Sequence, residues 1–169
     1  TRRSTNGYPK VLVGAPVYSN KKYITPYWIE RVKELTYPRY DVLVVDNSKP
    51  SERFQNIFGE EGIPVICSQH HKNPFRRLAE ARQKLNEYAV RKGYDYLLSI
   101  EQDVIVPSEI IELLQAHDKP VVGAPYIVSS HTDSQRRHID YVVSASKLDT
   151  VLERIDSVDV NEWYLTKEI

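Results

Sequence analysis

Short apolar runs, each closed by proline or polar residues, alternate along this chain with stretches whose apolar residues recur at helical spacing, and that alternation constrains the fold more than any other feature. Val11-Leu-Val-Gly-Ala-Pro16 is continuously apolar, as expected of a strand covered on both faces. Thr25-Pro26 opens a predicted helix, with the proline in its first turn and Trp28, Ile29, Val32 and Leu35 on one stripe. A second strand, Asp41 to Asn47, precedes a short helix capped by Ser51 and carrying Phe54, Ile57 and Phe58 before Gly59. A third, Val65 to Ser68, leads into a long helix with Phe75, Leu78, Ala81, Leu85, Tyr88 and Ala89 near one face and Gly93 as its stop. The fourth runs from Tyr94 into Glu101-Gln-Asp103, Ser108 caps a helix with Ile110, Ile111, Leu113 and Leu114, and Lys119 to Tyr126 reads as a fifth. Strands and helices in this order predict a single α/β domain, a mostly parallel central sheet flanked by helices on both faces.

Residues 1–9 read as a polar leader, 10–126 as the core, and 127–169 as a loop and closing segment of the same domain. In that last part Ser129 to His138 is polar throughout and predicts a mobile surface loop. A sixth strand over Ile139 to Ala145, a helix over Lys147 to Ile155 and a tail from Val158 to Leu165 follow. A chain of 169 residues, 41% hydrophobic and 27% charged, is long enough to bury one good core. Lysine plus arginine balances aspartate plus glutamate at 23 each, so no overall field recruits nucleic acid or an anionic membrane, and any anion site must be local. The lone Cys67 has no disulfide partner and fits a reducing compartment. No apolar run is long enough to span a bilayer and the leader has no hydrophobic segment behind it, so the expectation is a protein without an integral membrane segment, in the cytoplasm.

If the fourth strand stays extended through Asp103, its period of two puts Glu101 and Asp103 on one side with Gln102 opposite. The two Cα atoms would then lie about 6.5 Å apart. Two ionised carboxylates at about that distance repel by about 2.5 kcal/mol at an effective dielectric of about 20, which a divalent cation would offset. The plainer account is that strand ends often carry solvated acids. The other strand ends weigh against it, because ligands of an open parallel sheet bind beyond its carboxyl edge, where Pro16-Val-Tyr18, Asp46-Asn47, His70-His71-Lys72, Glu101-Gln-Asp103 and Gly123-Ala-Pro125 all fall. Arg76 and Arg77 open the long helix, where its dipole disfavours cations, a placement that suits a bound anion, with plain solvation as the alternative. Arg82 lies near the same end, and His70 and His71 read as loop residues.

These motifs, in this order, resemble the nucleotide-sugar-binding core of GT-A-fold glycosyltransferases, especially the large inverting second family. The residues that carry the resemblance are Pro16-Val-Tyr18, Val45-Asp-Asn-Ser48, Glu80-Ala-Arg-Gln83, and Ile100-Glu-Gln-Asp103 leading to Pro107. The resemblance implies a Rossmann-like fold and transfer of a sugar from a nucleoside-diphosphate sugar to an acceptor hydroxyl, on a carbohydrate, protein or lipid that the sequence does not identify. It implies that Asp46 reads the base, that Pro16 and Tyr18 shape the base pocket, and that Arg82 belongs to the nucleotide site, to which Arg76 and Arg77 are added by their place at the start of the helix. It further implies that Asp103 binds a Mg2+ or Mn2+ ion bridging the diphosphate, with Glu101 touching ribose or the metal. Glu101 replaces the usual first aspartate and Gln83 the usual asparagine, which weakens the expected metal dependence. Asn161-Glu-Trp-Tyr-Leu165 is similar to the family's Glu-Asp-x-x-Leu pattern, which makes Glu162 the expected general base, with Asp159 and Asp140 as substitutes. Compact members of this sort occur in viruses of hot-spring archaea, so the expected cytoplasm is a host's should the chain be viral. The alternative function is a nucleotide-binding module that keeps the core without catalysis. A receiver domain would need acids after the first strand, a haloacid-dehalogenase phosphatase would carry its Asp-x-Asp on that strand, and a dinucleotide oxidoreductase would need a Gly-x-Gly-x-x-Gly turn; none of these is present.

Overall fold

The computed structural model describes residues 7–124, 126–130 and 138–142. Contacts group the chain into two units, Thr1–Leu113 and Leu114–Ile169. The elements are β1 (Val11–Val17), α1 (Thr25–Lys33), β2 (Tyr40–Asp46), α2 (Asn56–Glu60), β3 (Val65–Cys67), α3 (Pro74–Arg91), β4 (Tyr96–Ser99), α4 (Ile110–Gln115), β5 (Tyr126–Ser130) and β6 (His138–Val142), with 3-10 turns over Ser19–Ile24 and Pro50–Glu52.

In the first unit four strands form an all-parallel sheet in the order β3-β2-β1-β4, with Val13 opposite Val42 on one side and Leu98 on the other. From β1 the chain steps outward through β2 to β3 and then crosses back over to β4. Right-handed crossovers therefore put α1 and α2 on one face and α3 on the other. The side chains agree. Leu12, Leu43 and Val45 form one buried cluster with Ala81, Leu85 and Ala89 of α3. A Cβ on Gly14, on the same face, would come within 2.9 Å of Leu85 Cδ2, so this residue lets α3 sit close to β1. Val11, Val13, Ala15 and Val17 have the other parity and are equally buried, and on that side Trp28 of α1 meets Phe58 of α2 edge-on, ring centroids 6.4 Å apart. An α/β core covered on both faces is what the apolar runs predict.

Four expectations need correction. Residues 119–124 are not a strand and add nothing to the parallel sheet. Pro120 and Pro125 remove two backbone donors from that short run, so ladder pairing starts beyond them. There β5 pairs with β6 antiparallel, Val128 opposite Asp140, which extends both strands into the stretch expected to be loop. The fourth strand does not persist through Asp103: its last bond to β1 is Ile100 N–H to the Gly14 carbonyl at 2.9 Å, and Val104 N–H closes a turn on the Glu101 carbonyl at 3.1 Å. Phe75 is 81% exposed rather than packed, because the buried stripe of α3 begins only at Ala81. The predicted helix over 147–155 and the tail with Asp159 and Glu162 lie outside the described residues.

Candidate functional site

The doubly wound order places the reversal of direction between β1 and β4, and the crevice beyond their carboxyl ends is where such sheets take ligands. Three consecutive residues of the turn after β4 divide its chemistry. Gln102 is 2% exposed and points inward. Its Oε1 accepts from the Tyr18 N–H at 2.8 Å, and its Nε2 donates to the Lys21 carbonyl at 3.2 Å and to Thr25 Oγ1 at 2.9 Å. One buried amide thus ties the end of β4 to the end of β1 and to the first turn of α1. Its flanking carboxylates turn outward to separate cations. Glu101 pairs with Arg82 of α3, and Asp103 Oδ2 pairs with Lys21 Nζ at 2.7 Å. The side chains of Lys21 and Asp103 are 43% and 40% exposed, so water competes for both, and pairs of this kind contribute at most about 1 kcal/mol.

Tyr18 leaves β1 beside this turn. The Arg77 guanidinium lies 4.3 Å from its ring centroid, and the His70 ring runs nearly parallel to it at 12°, 6.3 Å away. Arg77 also donates to the His71 carbonyl at 2.8 Å. Asn73 caps α3, its Oδ1 accepting from the N–H groups of Phe75 and Arg76, which leaves the Arg76 side chain exposed and without an ion-pair partner among the described residues. Behind Tyr18, Pro16 is buried in β1 opposite Val45. Asp46 is fully buried, and its two oxygens accept from Ser48 N–H at 2.9 Å and Phe54 N–H at 3.3 Å, which holds the loop after β2. Around it three buried polar atoms, Asn47 Oδ1, Arg53 Nε and Ser68 Oγ, have no hydrogen-bond partner among the described residues. Buried polar atoms are normally paired, so this edge of β2 and β3 holds spare donor and acceptor capacity.

The structure therefore brings Glu101 to Arg82 and Tyr18 to Arg77, and puts Asp103 on the same turn, while Asp46 sits beneath the loop after β2. Sequence reasoning missed Lys21, Gln102 and the pairing of His71 with Glu80, whose Nε2 and Oε2 lie 2.5 Å apart. The Gln69 N–H, and after it the His71 ring, hold the Glu80 carboxyl below its ordinary range. The only sequence signal for Lys21 was a pair of lysines in the loop after β1. Among the described residues no three histidine, cysteine, aspartate or glutamate side chains cluster to enclose a metal. The donor chemistry still fits a hard cation that takes one or two carboxylates and draws its remaining ligands from phosphate and water: Asp103 offers an exposed carboxylate, and Glu101 a second, partly exposed one. No helix among the described residues is long and apolar enough to cross a membrane.

No family model matches the chain, and no curated protein does. A solved structure similar to it is that of the mannosyltransferase PcManGT from Pyrobaculum calidifontis in complex with GDP-Man and Mn2+, with a TM-score of 0.48 and 22% identity. The match covers 68% of this chain and 34% of that one, so the chain spans about a third of that enzyme's length.

Proposed function

We propose that this chain carries the donor site of a nucleotide-sugar-dependent glycosyltransferase, metal-assisted and inverting. The observation that carries the proposal is the 101–103 turn at the switch point. It sets two carboxylates facing outward on a buried amide that makes three hydrogen bonds, and among the described residues each is paired with one partly exposed cation from another segment. Such pairs are weak enough for an incoming diphosphate and its counter-ion to replace. In this reading Arg77 and Tyr18 offer a stacking surface to the base, and the buried Asp46 carboxylate holds the loop after β2 that borders it. Arg76 and Arg82 face the phosphates. Asp103, with Glu101, would hold Mg2+ or Mn2+, which would stabilise the charge of the departing diphosphate as a Lewis acid. Transfer forms a bond from the acceptor oxygen to the anomeric carbon while the bond from that carbon to the diphosphate oxygen breaks. The acceptor proton passes to Glu162, or to Asp159 in its place.

Calorimetry with UDP and GDP, with and without Mn2+, tests the donor site. Saturable binding that needs the metal, and that weakens at least about tenfold in Asp103→Ala with an unchanged circular dichroism spectrum, is the expected result. Failure of both nucleotides to bind under either condition would overturn the proposal.

A further inference from the structure

A depression of about 270 Å³ is lined by Ile24, Tyr27, Glu30, Arg31 and Ile105. It is built by the same two segments that carry the Lys21–Asp103 pair, since Ile24 closes the 3-10 turn holding Lys21 and Ile105 follows Asp103 by two residues. Its chemistry is mixed in a definite way. The Tyr27 ring is 63% exposed and offers a flat apolar face, and Ile105 is an exposed aliphatic neighbour. Beside them Glu30 is exposed, and its side chain has no hydrogen-bond or ion-pair partner among the described residues. Arg31, also in the lining, has its guanidinium joined to Glu34 Oε2 at 2.9 Å through one nitrogen, Nη1, which leaves its other N–H groups available among the described residues.

These features restrict the occupant. A wholly apolar guest would desolvate the Glu30 carboxylate without giving it a hydrogen bond, which is costly. An anion would meet that carboxylate directly. A saccharide satisfies every element, because its C–H face packs on an aromatic ring while neighbouring hydroxyls donate to a carboxylate and accept from a guanidinium. The volume lies just under the usual range for small-molecule sites, as suits one or two sugar rings rather than a long chain. We infer that this depression is a saccharide-binding subsite and that the acceptor is therefore a carbohydrate, received beside Asp103. The identification as an acceptor subsite rests on the transferase reading; saccharide binding itself does not.

Saturation-transfer difference NMR on the full chain with methyl α-mannopyranoside, methyl β-glucopyranoside, maltose, cellobiose and octyl β-glucoside tests it. Transfer to ring protons is expected for the wild type, reduced about fivefold in Tyr27→Ala and about twofold in Glu30→Gln as a stacking face and an acceptor are lost. Both side chains are exposed, so both variants should keep the wild-type melting temperature. No ring-proton signal from any of these sugars, an undiminished signal in Tyr27→Ala, or transfer confined to the alkyl chain of octyl glucoside would each overturn the inference. Nucleotide calorimetry on the same samples separates the two ideas. Nucleotide binding without saccharide binding removes the subsite and leaves the donor site standing, whereas saccharide binding without nucleotide binding removes the transferase reading and leaves a saccharide-binding surface.

Discussion

The two ends of the parallel sheet are built from the same kinds of residue and arranged in opposite ways. At the amino end Lys10 Nζ lies 3.3 Å from Asp41 Oδ2 and 4.0 Å from the centroid of the Tyr94 ring, and the Tyr94 hydroxyl donates to that same Asp41 oxygen at 2.8 Å. Burial, and after it the Asp41 carboxylate, push the Tyr94 phenol far above its ordinary pKa, so the hydroxyl remains a donor. Backbone groups there are satisfied too: Lys10 N–H reaches Asp95 Oδ2 at 2.7 Å, and the Tyr37 hydroxyl reaches the Pro9 carbonyl at 2.8 Å. At the carboxyl end Lys21 and Asp103 are about as exposed as Lys10 and Asp41 but share no third partner among the described residues, Arg82 pairs across to Glu101, and three buried polar atoms there go unpaired among the described residues. Lysine, aspartate and tyrosine at one end close on each other; at the other they leave capacity over. Charge alone does not distinguish a structural cluster from a site, and neither do unpaired buried atoms by themselves, since Trp28 Nε1 and, beside Thr36, Glu112 Oε2 also go unpaired among the described residues.

The contrast makes one residue of the carboxyl end the exception, and breaking that residue should give the largest effect. Gln102→Ala removes three hydrogen bonds and leaves the Tyr18 N–H and part of the Thr25 hydroxyl's capacity without partners next to a new cavity, a loss of about 3 kcal/mol. Urea denaturation would measure it. A change below about 1 kcal/mol would mean that β1 and β4 are joined by the sheet alone and that the turn is loosely held. The amino end should respond less. Tyr94→Phe deletes one hydroxyl from a partly exposed network and should cost about 1 kcal/mol in the same measurement, while nucleotide affinity stays unchanged. A shift in nucleotide affinity would contradict the division of the sheet into a structural end and an addressable one.

The parallel core was legible because burial on both faces demands continuous apolar runs, and Val11 to Val17 and Leu43 to Val45 obey that demand directly. Gln102 was legible only by position: a period of two sets it opposite its acidic neighbours, but nothing in the residue name says that it bonds two other segments. The separation of Glu101 from Asp103 was not legible at all, since it depends on where β4 stops pairing with β1, and residues 100–103 read equally well as strand or turn. The run over 119–126 misled for a related reason, because its composition suits a strand and only its two prolines oppose one. Arg82 beside Glu101 was recoverable because the motif order put an arginine on α3 and an acid at the tip of β4.

The smallest effect sharpens the contrast most. If Lys21 and Asp103 form a replaceable pair, a double-mutant cycle with Lys21→Ala and Asp103→Ala should give a coupling of at most about 0.5 kcal/mol in stability, falling as salt is raised. Both side chains keep substantial contact with water, so breaking the pair returns each to a hydration it has only partly lost. The Lys10–Asp41 pair is longer, 3.3 Å against 2.7 Å, and comparably exposed, but it shares its aspartate with the Tyr94 hydroxyl, so the corresponding cycle there should give a coupling at least as large and less sensitive to salt. Equal couplings with equal salt dependence would remove the physical distinction between the two ends. A coupling above about 2 kcal/mol at Lys21–Asp103 would show a pair too strong for a diphosphate or a metal ion to displace cheaply, and Asp103 would then lose its claim to the donor site.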